Sequence, residues 1–260
     1  MTLIHAIIIA IVEGLTEFLP ISSTGHMILT SAALGLENTE FLKTFEISIQ
    51  IGAIMAIVLM YAQRFLKSIE IYKKLIVAFI PTAVIGIIAY DFIKEYLFSP
   101  LVVSISLIIG GIILIVIDKI VINKVTEYED VEKISIKNAF FIGLMQCISM
   151  IPGVSRAGAT IVGGVFNGFN KKQATEFSFL LAVPTMLAAT GLDLIKSPLQ
   201  FSNHEITLLI SGLIGAFVFA WIAVKIFLVL VQKYGFAAFG WYRIAIGLLF
   251  LILISKGIVK

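Results

Sequence analysis

Six long apolar runs, approximately Phe45–Tyr61, Leu75–Phe92, Leu101–Ile117, Glu176–Ile195, Glu205–Leu230 and Phe239–Ile254, constrain this chain more than any other feature. Each can cross about 30 Å of hydrocarbon as a helix, the conformation that satisfies its main-chain polar groups within one segment. The apolar residues come in blocks rather than in alternation, and only 13% of residues are charged. A soluble domain carries about 25%. With a mean hydropathy of +1.08, the chain reads as an all-α polytopic membrane protein. The net charge of +3 gives no footprint for nucleic acid. The single cysteine, Cys147, excludes an intrachain disulfide and a multi-cysteine metal site, and reads as a small buried hydrophobe. The start, MTLIHAIIIA, has no basic residue before its apolar run and no small-residue cleavage site after it. It reads as mature protein rather than a signal peptide.

Two further segments, Thr2–Leu34 and Lys137–Phe169, fit no simple span. Each begins with a short apolar helix, meets a proline (Pro20 or Pro152), passes a Ser/Gly-rich turn and resumes apolar. The expected form is a re-entrant helical hairpin, whose broken backbone must be buried in protein or line a wet cavity. An offset of 132 residues puts Pro20 on Pro152, Ser23 on Ser155 and Phe45 on Phe177. Each half then holds one re-entrant hairpin followed by three transmembrane helices, giving six full spans and two re-entrant hairpins. Three crossings is an odd number, so the second half starts on the opposite face. The halves form an inverted repeat whose hairpin tips meet near the midplane. The expected organisation is one integral membrane domain over 1–260, with halves of about 1–120 and 137–260 joined by a polar cytoplasmic loop, about 119–136.

Loop charges set the orientation. The face reached after the first, third and fifth spans carries Arg64, Lys67, Lys73, Lys74, Lys119, Lys124, Lys133, Lys137, Lys171, Lys172 and Lys233; the other carries Lys43, Lys94, Lys196, Lys256 and Lys260. The excess makes the first face cytoplasmic. In a cell (plasma) membrane both termini and the first hairpin's entrance are then extracytoplasmic. The acidic cluster EYED, Glu127 to Asp130, weighs little, because the rule counts positive residues.

The polar residues are concentrated in the hairpins. In VEGLTEFLPISSTGHM, Val12 to Met27, Glu13 and Glu17 are four apart and share a helix face. Two carboxylates that close need a shared proton, a cation or a basic partner. After Pro20, ISSTGH suits a helix N-terminus, which is an anion site. Ser23 and His26 are three apart, a spacing that suits a nucleophilic hydroxyl beside a proton-transfer group. Ser22 and Thr24 read equally well as hydroxyls back-bonded to carbonyls. The second hairpin reads QCISMIPGVSRAGATIVGG, with Met145 and Ser149 at the positions of Glu13 and Glu17 under the 132-residue offset. Instead of acids it brings Arg156, which at membrane depth needs an anionic partner. Gly153 and Gly158 allow close backbone approach, and a guanidinium suits bidentate phosphate binding. A salt bridge from Arg156 to Glu13 or Glu17 is the plainer reading, and it is compatible with phosphate binding. Carboxylates, hydroxyls and histidine from one half and an anion clamp from the other indicate chemistry on an anionic substrate within the membrane.

EGLTEFLPISSTGH (Glu13 to His26) and PGVSRAGAT (Pro152 to Thr160) resemble the two signature motifs of the undecaprenyl-diphosphatase family, bacitracin-resistance type. The resemblance extends to FEISIQIGAI (Phe45 to Ile54), EFSFLLAVP (Glu176 to Pro184) and the late pair Tyr242 and Arg243, and covers essentially the whole chain. One departure is Ala157, where the family commonly has serine after the arginine. The resemblance implies a hydrolase that removes the terminal phosphate of a long-chain polyprenyl diphosphate, recycling the lipid carrier as its monophosphate, with a divalent cation such as Mg²⁺ or Ca²⁺. It implies catalytic roles for Glu13, Glu17, Ser23, His26 and Arg156, with Ser22, Thr24, Gly153 and Ser155 supporting phosphate binding. On this reading Ser23 attacks phosphorus, His26 handles its proton, Arg156 holds the phosphate, and Glu13 and Glu17 bind the cation. Direct attack by water, with a glutamate as base and His26 as acid, is the alternative mechanism. The alternative function is a transporter or flippase of a lipid phosphate or small anion, since inverted repeats with broken helices serve transport too.

Overall fold

A computed structural model describes residues 1–37, 39–67, 69–92, 99–121, 128–196 and 201–258. Lys94, Lys124, Lys260 and Glu127 of the charge pattern lie outside the described residues. In chain order the helices are α1 (Leu3–Thr16), α2 (Ser23–Ala33), α3 (Glu40–Met60), α4 (Ala62–Lys67), α5 (Ile69–Phe92), α6 (Pro100–Val121), α7 (Ile136–Cys147), α8 (Arg156–Phe166), α9 (Lys171–Lys196), α10 (Asn203–Tyr234) and α11 (Ala237–Ser255). There is no strand among the described residues.

Among the described residues, six helices are long and apolar enough to cross a membrane: Glu40–Met60, Ile69–Ala89, Pro100–Ile120, Lys171–Ile195, Asn203–Tyr234 and Ala237–Ser255. They are the six expected spans, and several begin a turn or more earlier than the apolar runs. Helices continue through polar residues once capped. Thr39 accepts the Leu42 N–H at the start of α3, and Ser202 with Glu205 forms a capping box at the start of α10. The two segments that fit no span are each a short helix, a turn and a second short helix: α1 with α2, and α7 with α8.

Small residues let these helices pack closely. α1 lies on α10 with Gly14 against Ala216 and Ala220, where an added Cβ would sit 2.7 Å from a carbonyl oxygen. α7 lies on α5 with Gly143 against the Ala78 backbone, and α6 lies on α11 with Gly111 against Gly240. Lipid tails are as apolar as leucine, so association in a membrane depends on such contacts rather than on hydrophobic burial. Phe18, Phe179, Phe227 and Phe239 form a chain of ring contacts, with centroids 5.7, 6.0 and 5.0 Å apart, linking α9, α10 and α11 to the turn after α1. Outward positions such as Ile88 and Ile214 are 80% and 60% exposed, as lipid-facing residues are.

Basic loop residues meet carboxylates at one end of the bundle. Arg64 donates to Asp130 (2.7 Å) and Glu176 (2.9 Å), while Lys171 pairs with Asp118. Partial burial pushes the Asp130 carboxyl up, but the hydrogen bond and charge of Arg64 outweigh it and hold it below its ordinary range.

The packing predicts that Gly143→Val, which places side-chain atoms against the Ala78 backbone, destabilises the protein by about 1–3 kcal/mol. Thermal unfolding in detergent reads this, with Ile88→Val as a lipid-facing control expected to unfold like the wild type.

Candidate active site

Two turns interrupt the short helices, and both end in a strained serine. Ser22 (φ 71°) and Ser155 (φ 72°) are the non-glycine residues with positive φ among those described, a conformation that costs about 1–3 kcal/mol at such a residue. Each is an N-cap: Ser22 Oγ accepts the Gly25 N–H (3.4 Å) and Ser155 Oγ accepts the Gly158 N–H (3.2 Å). Thr2 and Ser135 cap α1 and α7 in the same way. Both cap pairs are 133 residues apart, one more than the offset that aligns the prolines. Ser155 therefore corresponds to Ser22 rather than Ser23, Arg156 to Ser23, and Gln146 to Glu13. Aligning Pro20 with Pro152 misses this because the prolines sit at different points of the two turns.

The turns face a cavity of about 540 Å³ walled by α5 and α9. The first turn brings Glu17, Ser22, Ser23 and Thr24 to it, and the second brings Gly153, Ser155 and Arg156. The main-chain N–H groups of Ser23, Thr24, Arg156 and Ala157, at the starts of α2 and α8, have no hydrogen-bond partner among the described residues. Free N–H groups at two helix N-termini form an anion site. Gly153 (φ 91°) is required at its position, since a Cβ would lie 2.6 Å from the Val103 carbonyl oxygen.

Glu17 joins the two turns. Its Oε2 accepts the Ser23 hydroxyl at 2.5 Å and its Oε1 accepts Arg156 Nη2 at 2.9 Å. Arg156 also donates Nη1 to the Ser178 carbonyl (3.2 Å) and lies over the Phe18 ring at 5.4 Å, while its buried Nε has no partner. Glu13 does not reach the cavity wall. It is fully buried, and both its carboxylate oxygens lack partners. At the corresponding place in the other turn region, Gln146 is equally buried but donates to Thr82 (2.7 Å) and Thr185 (3.1 Å).

No hydrogen bond joins His26 to Ser23 among the described residues. His26 Nδ1 lies 2.8 Å from the Ser22 carbonyl and Nε2 lies 2.7 Å from the Tyr242 hydroxyl, with the two ring planes nearly parallel. A carbonyl only accepts, so Nδ1 carries a proton and a neutral ring accepts from Tyr242 at Nε2. Spacing placed the two side chains near each other, but the Ser23 hydroxyl turns to Glu17 and the imidazole packs against α11 and the strained cap. Ala157 is fully buried and does not line the cavity, so the departure there removes no hydroxyl from the wall. Sequence reasoning missed the contributions of Gln50, Thr82 and Thr185 to the wall: the two threonines are isolated hydroxyls, and Gln50, though inside FEISIQIGAI, was given no role. It also gave no role to Tyr242 or Arg243, although an arginine within an apolar run is itself a signal.

Residues 6–249 match the family described as Bacitracin resistance protein BacA. Among curated proteins, an undecaprenyl-diphosphatase of Persephonella marina is 50% identical over 254 residues, covering 98% of this chain and all of the relative. Undecaprenyl-diphosphatases of Bdellovibrio bacteriovorus and Aquifex aeolicus are each 51% identical, over 99% and 96% of this chain and 98% of each relative. With a family match and relatives that both run nearly end to end, the chain belongs to the bacitracin resistance protein BacA family.

Proposed function

We propose that this protein is a membrane-embedded phosphatase that removes the terminal phosphate from an undecaprenyl-type polyprenyl diphosphate and leaves the lipid monophosphate. The relatives carry that activity in their names. The observation that carries the reading here is Glu17 bonded at once to Ser23 and Arg156, between two helix N-termini with free N–H groups. The apolar walls from α5 and α9, among them Ile87 and Leu192, suit a prenyl chain.

The mechanism follows from these contacts. The terminal phosphate takes Arg156 and the free N–H groups as donors, which offset charge developing on its oxygens. Ser23 Oγ attacks phosphorus as its proton passes to Glu17 Oε2, the group that already holds it. The anhydride P–O bond breaks, and Glu17 returns the proton to the departing monophosphate. Water then attacks the phosphoserine, losing a proton to Glu17, and that proton restores the Ser23 hydroxyl as phosphate leaves. His26 acts at one remove, holding the Ser22 cap that aims Ser23. Glu13 fits a divalent cation: its two buried oxygens have no partner, whereas Gln146 is satisfied by threonines. Glu13 with Glu17 would hold Mg²⁺ or Ca²⁺, which would neutralise charge on the carboxylates and the diphosphate.

The architecture proposed with this function is one membrane domain built as an inverted repeat, each half a re-entrant hairpin followed by three spans. The short helices have 14, 11, 12 and 11 residues, and even the longest reaches only about 21 Å, short of the hydrocarbon thickness. The 133-residue cap spacing and the packing of α1 on α10 and of α7 on α5 support the repeat. The cluster of Arg64 and Lys171 ion pairs supports a single basic, cytoplasmic end in a cell membrane, with both termini and the cavity's access on the other side.

Purified protein is expected to release phosphate from a long-chain polyprenyl diphosphate with Mg²⁺ or Ca²⁺ and to stop with chelator. No release from folded protein under any of these conditions would turn the reading towards lipid-phosphate transport. Ser23→Ala should lower kcat by about 10³-fold or more, and Arg156→Lys by about 10²–10³-fold; near-normal turnover in either removes that residue's proposed role. His26→Asn should keep the acid limb of the wild-type pH–rate profile and lose thermal stability. An acid limb that disappears with the imidazole would return His26 to the proton path.

A further inference from the structure

Arg243 of α11 lies behind the two turns, away from the cavity, and is 1% exposed. No carboxylate pairs with it among the described residues. All five of its N–H groups donate to main-chain carbonyls instead. Nε reaches Leu107 (3.3 Å), Nη1 reaches Pro20 (3.0 Å) and Val154 (2.9 Å), and Nη2 reaches Ser106 (3.0 Å) and Gly153 (2.8 Å). A guanidinium has five donors in a rigid plane, so the set is complete. Pro20 belongs to the first turn, Gly153 and Val154 to the second, and Ser106 and Leu107 to α6. One side chain thus ties three separate pieces of backbone together.

The consequences reach the cavity through peptide geometry. The C=O and the following N–H of a trans peptide point to opposite sides. With the Val154 carbonyl held by Arg243, the Ser155 N–H points away from it, at the cap that lines the cavity. The unpaired guanidinium also places a positive charge directly behind an anion site.

We propose that Arg243 is a positioning residue for phosphoryl transfer: it locks the two turns to each other and to α6, and so fixes Ser23 relative to Arg156. The kinetic part of this inference rests on the phosphatase reading; the structural part does not. Two variants of the full chain test it. Arg243→Lys keeps the charge but has three donors at a single point and cannot span three backbone segments. Gly110→Ala leaves Arg243 intact, but its Cβ would fall on the guanidinium, at Nη2 and 2.7 Å from Cζ.

In both, kcat for a polyprenyl diphosphate should fall by about 100-fold, with KM little changed because the prenyl walls are untouched. Hydrogen exchange should quicken in both turns, residues 17–22 and 148–155, while α1 and α7 stay as protected as in the wild type. Wild-type kcat, a loss confined to KM, or unchanged exchange in the turns overturns the proposal. If Arg243→Lys does not fold, Gly110→Ala carries the same two readouts. A wild-type protein that releases no phosphate sinks the phosphatase reading, and the exchange comparison still decides whether Arg243 locks the turns.

Discussion

Irregular backbone within a membrane survives only if each polar group it exposes finds a partner inside the protein or faces a wet cavity. This protein breaks two of its apolar segments, at residues 17–22 and 148–155, and much of the remaining structure answers that need. Serine caps close the starts of α2 and α8. Nδ1 of His26 satisfies the Ser22 carbonyl, and the guanidinium of Arg243 satisfies those of Pro20, Gly153 and Val154. Among the described residues, the buried side-chain atoms left without a hydrogen-bond partner fall in two places: Asp118 and Asp130 in the ion-paired cluster with Lys171 and Arg64, and Arg156 Nε with the Glu13 carboxylate at or beside the turns. At the turns they stand with the free N–H donors of two helix starts, the arrangement on which the proposed anion site rests.

The contact between Arg156 and Glu17 makes that place tolerable before the anion arrives. An isolated guanidinium at this depth is costly, and so is a carboxylate; paired at 2.9 Å they offset one another. A phosphate can replace Glu17 as the partner of Arg156 with no net change in that pairing. In the proposed mechanism Glu17 then keeps the Ser23 hydroxyl while the guanidinium turns to phosphate. The ion pair and the phosphate clamp would be successive states of one arginine.

The spans were legible because the membrane allows few solutions: a run of apolar residues of the right length has to be a helix, and its ends were uncertain only by their polar caps. Most of the site was legible for the same reason, since Glu17, Ser23, Ser155 and Arg156 are polar residues in a setting that penalises them. Ser23 and His26 are three apart within α2, so the spacing puts them on neighbouring positions, but it does not choose their partners: the Ser23 hydroxyl bonds Glu17, and the imidazole bonds the Ser22 carbonyl and Tyr242. Aligning prolines rather than caps misplaced the two turns by one residue, which hid the match of Gln146 to Glu13. Arg243 was visible as a buried charge, but its partners are carbonyls from three distant segments, and no side-chain pattern records a carbonyl.

The corrected register explains why two similar turns carry different chemistry. The cap in each turn is fixed by backbone: a short hydroxyl side chain closes the helix start, and the path of these two turns also takes positive φ, so Ser22 and Ser155 meet the same demand. The first helical residue after the cap is free of that demand and is presented to the cavity in each turn. One turn puts Ser23 there and the other puts Arg156, so the same local geometry presents a hydroxyl and a cation to the same space. Glu17 has Met150 as its counterpart at the cap spacing, so a single carboxylate serves both residues, and it bonds both. Had the second turn repeated the acid, two carboxylates would compete for Arg156 and repel the phosphate that the helix starts attract. The asymmetry lies in the side chains that the backbone leaves free, and that freedom lets two turns of like shape present the attacking group and the electrostatic support that the proposed mechanism needs.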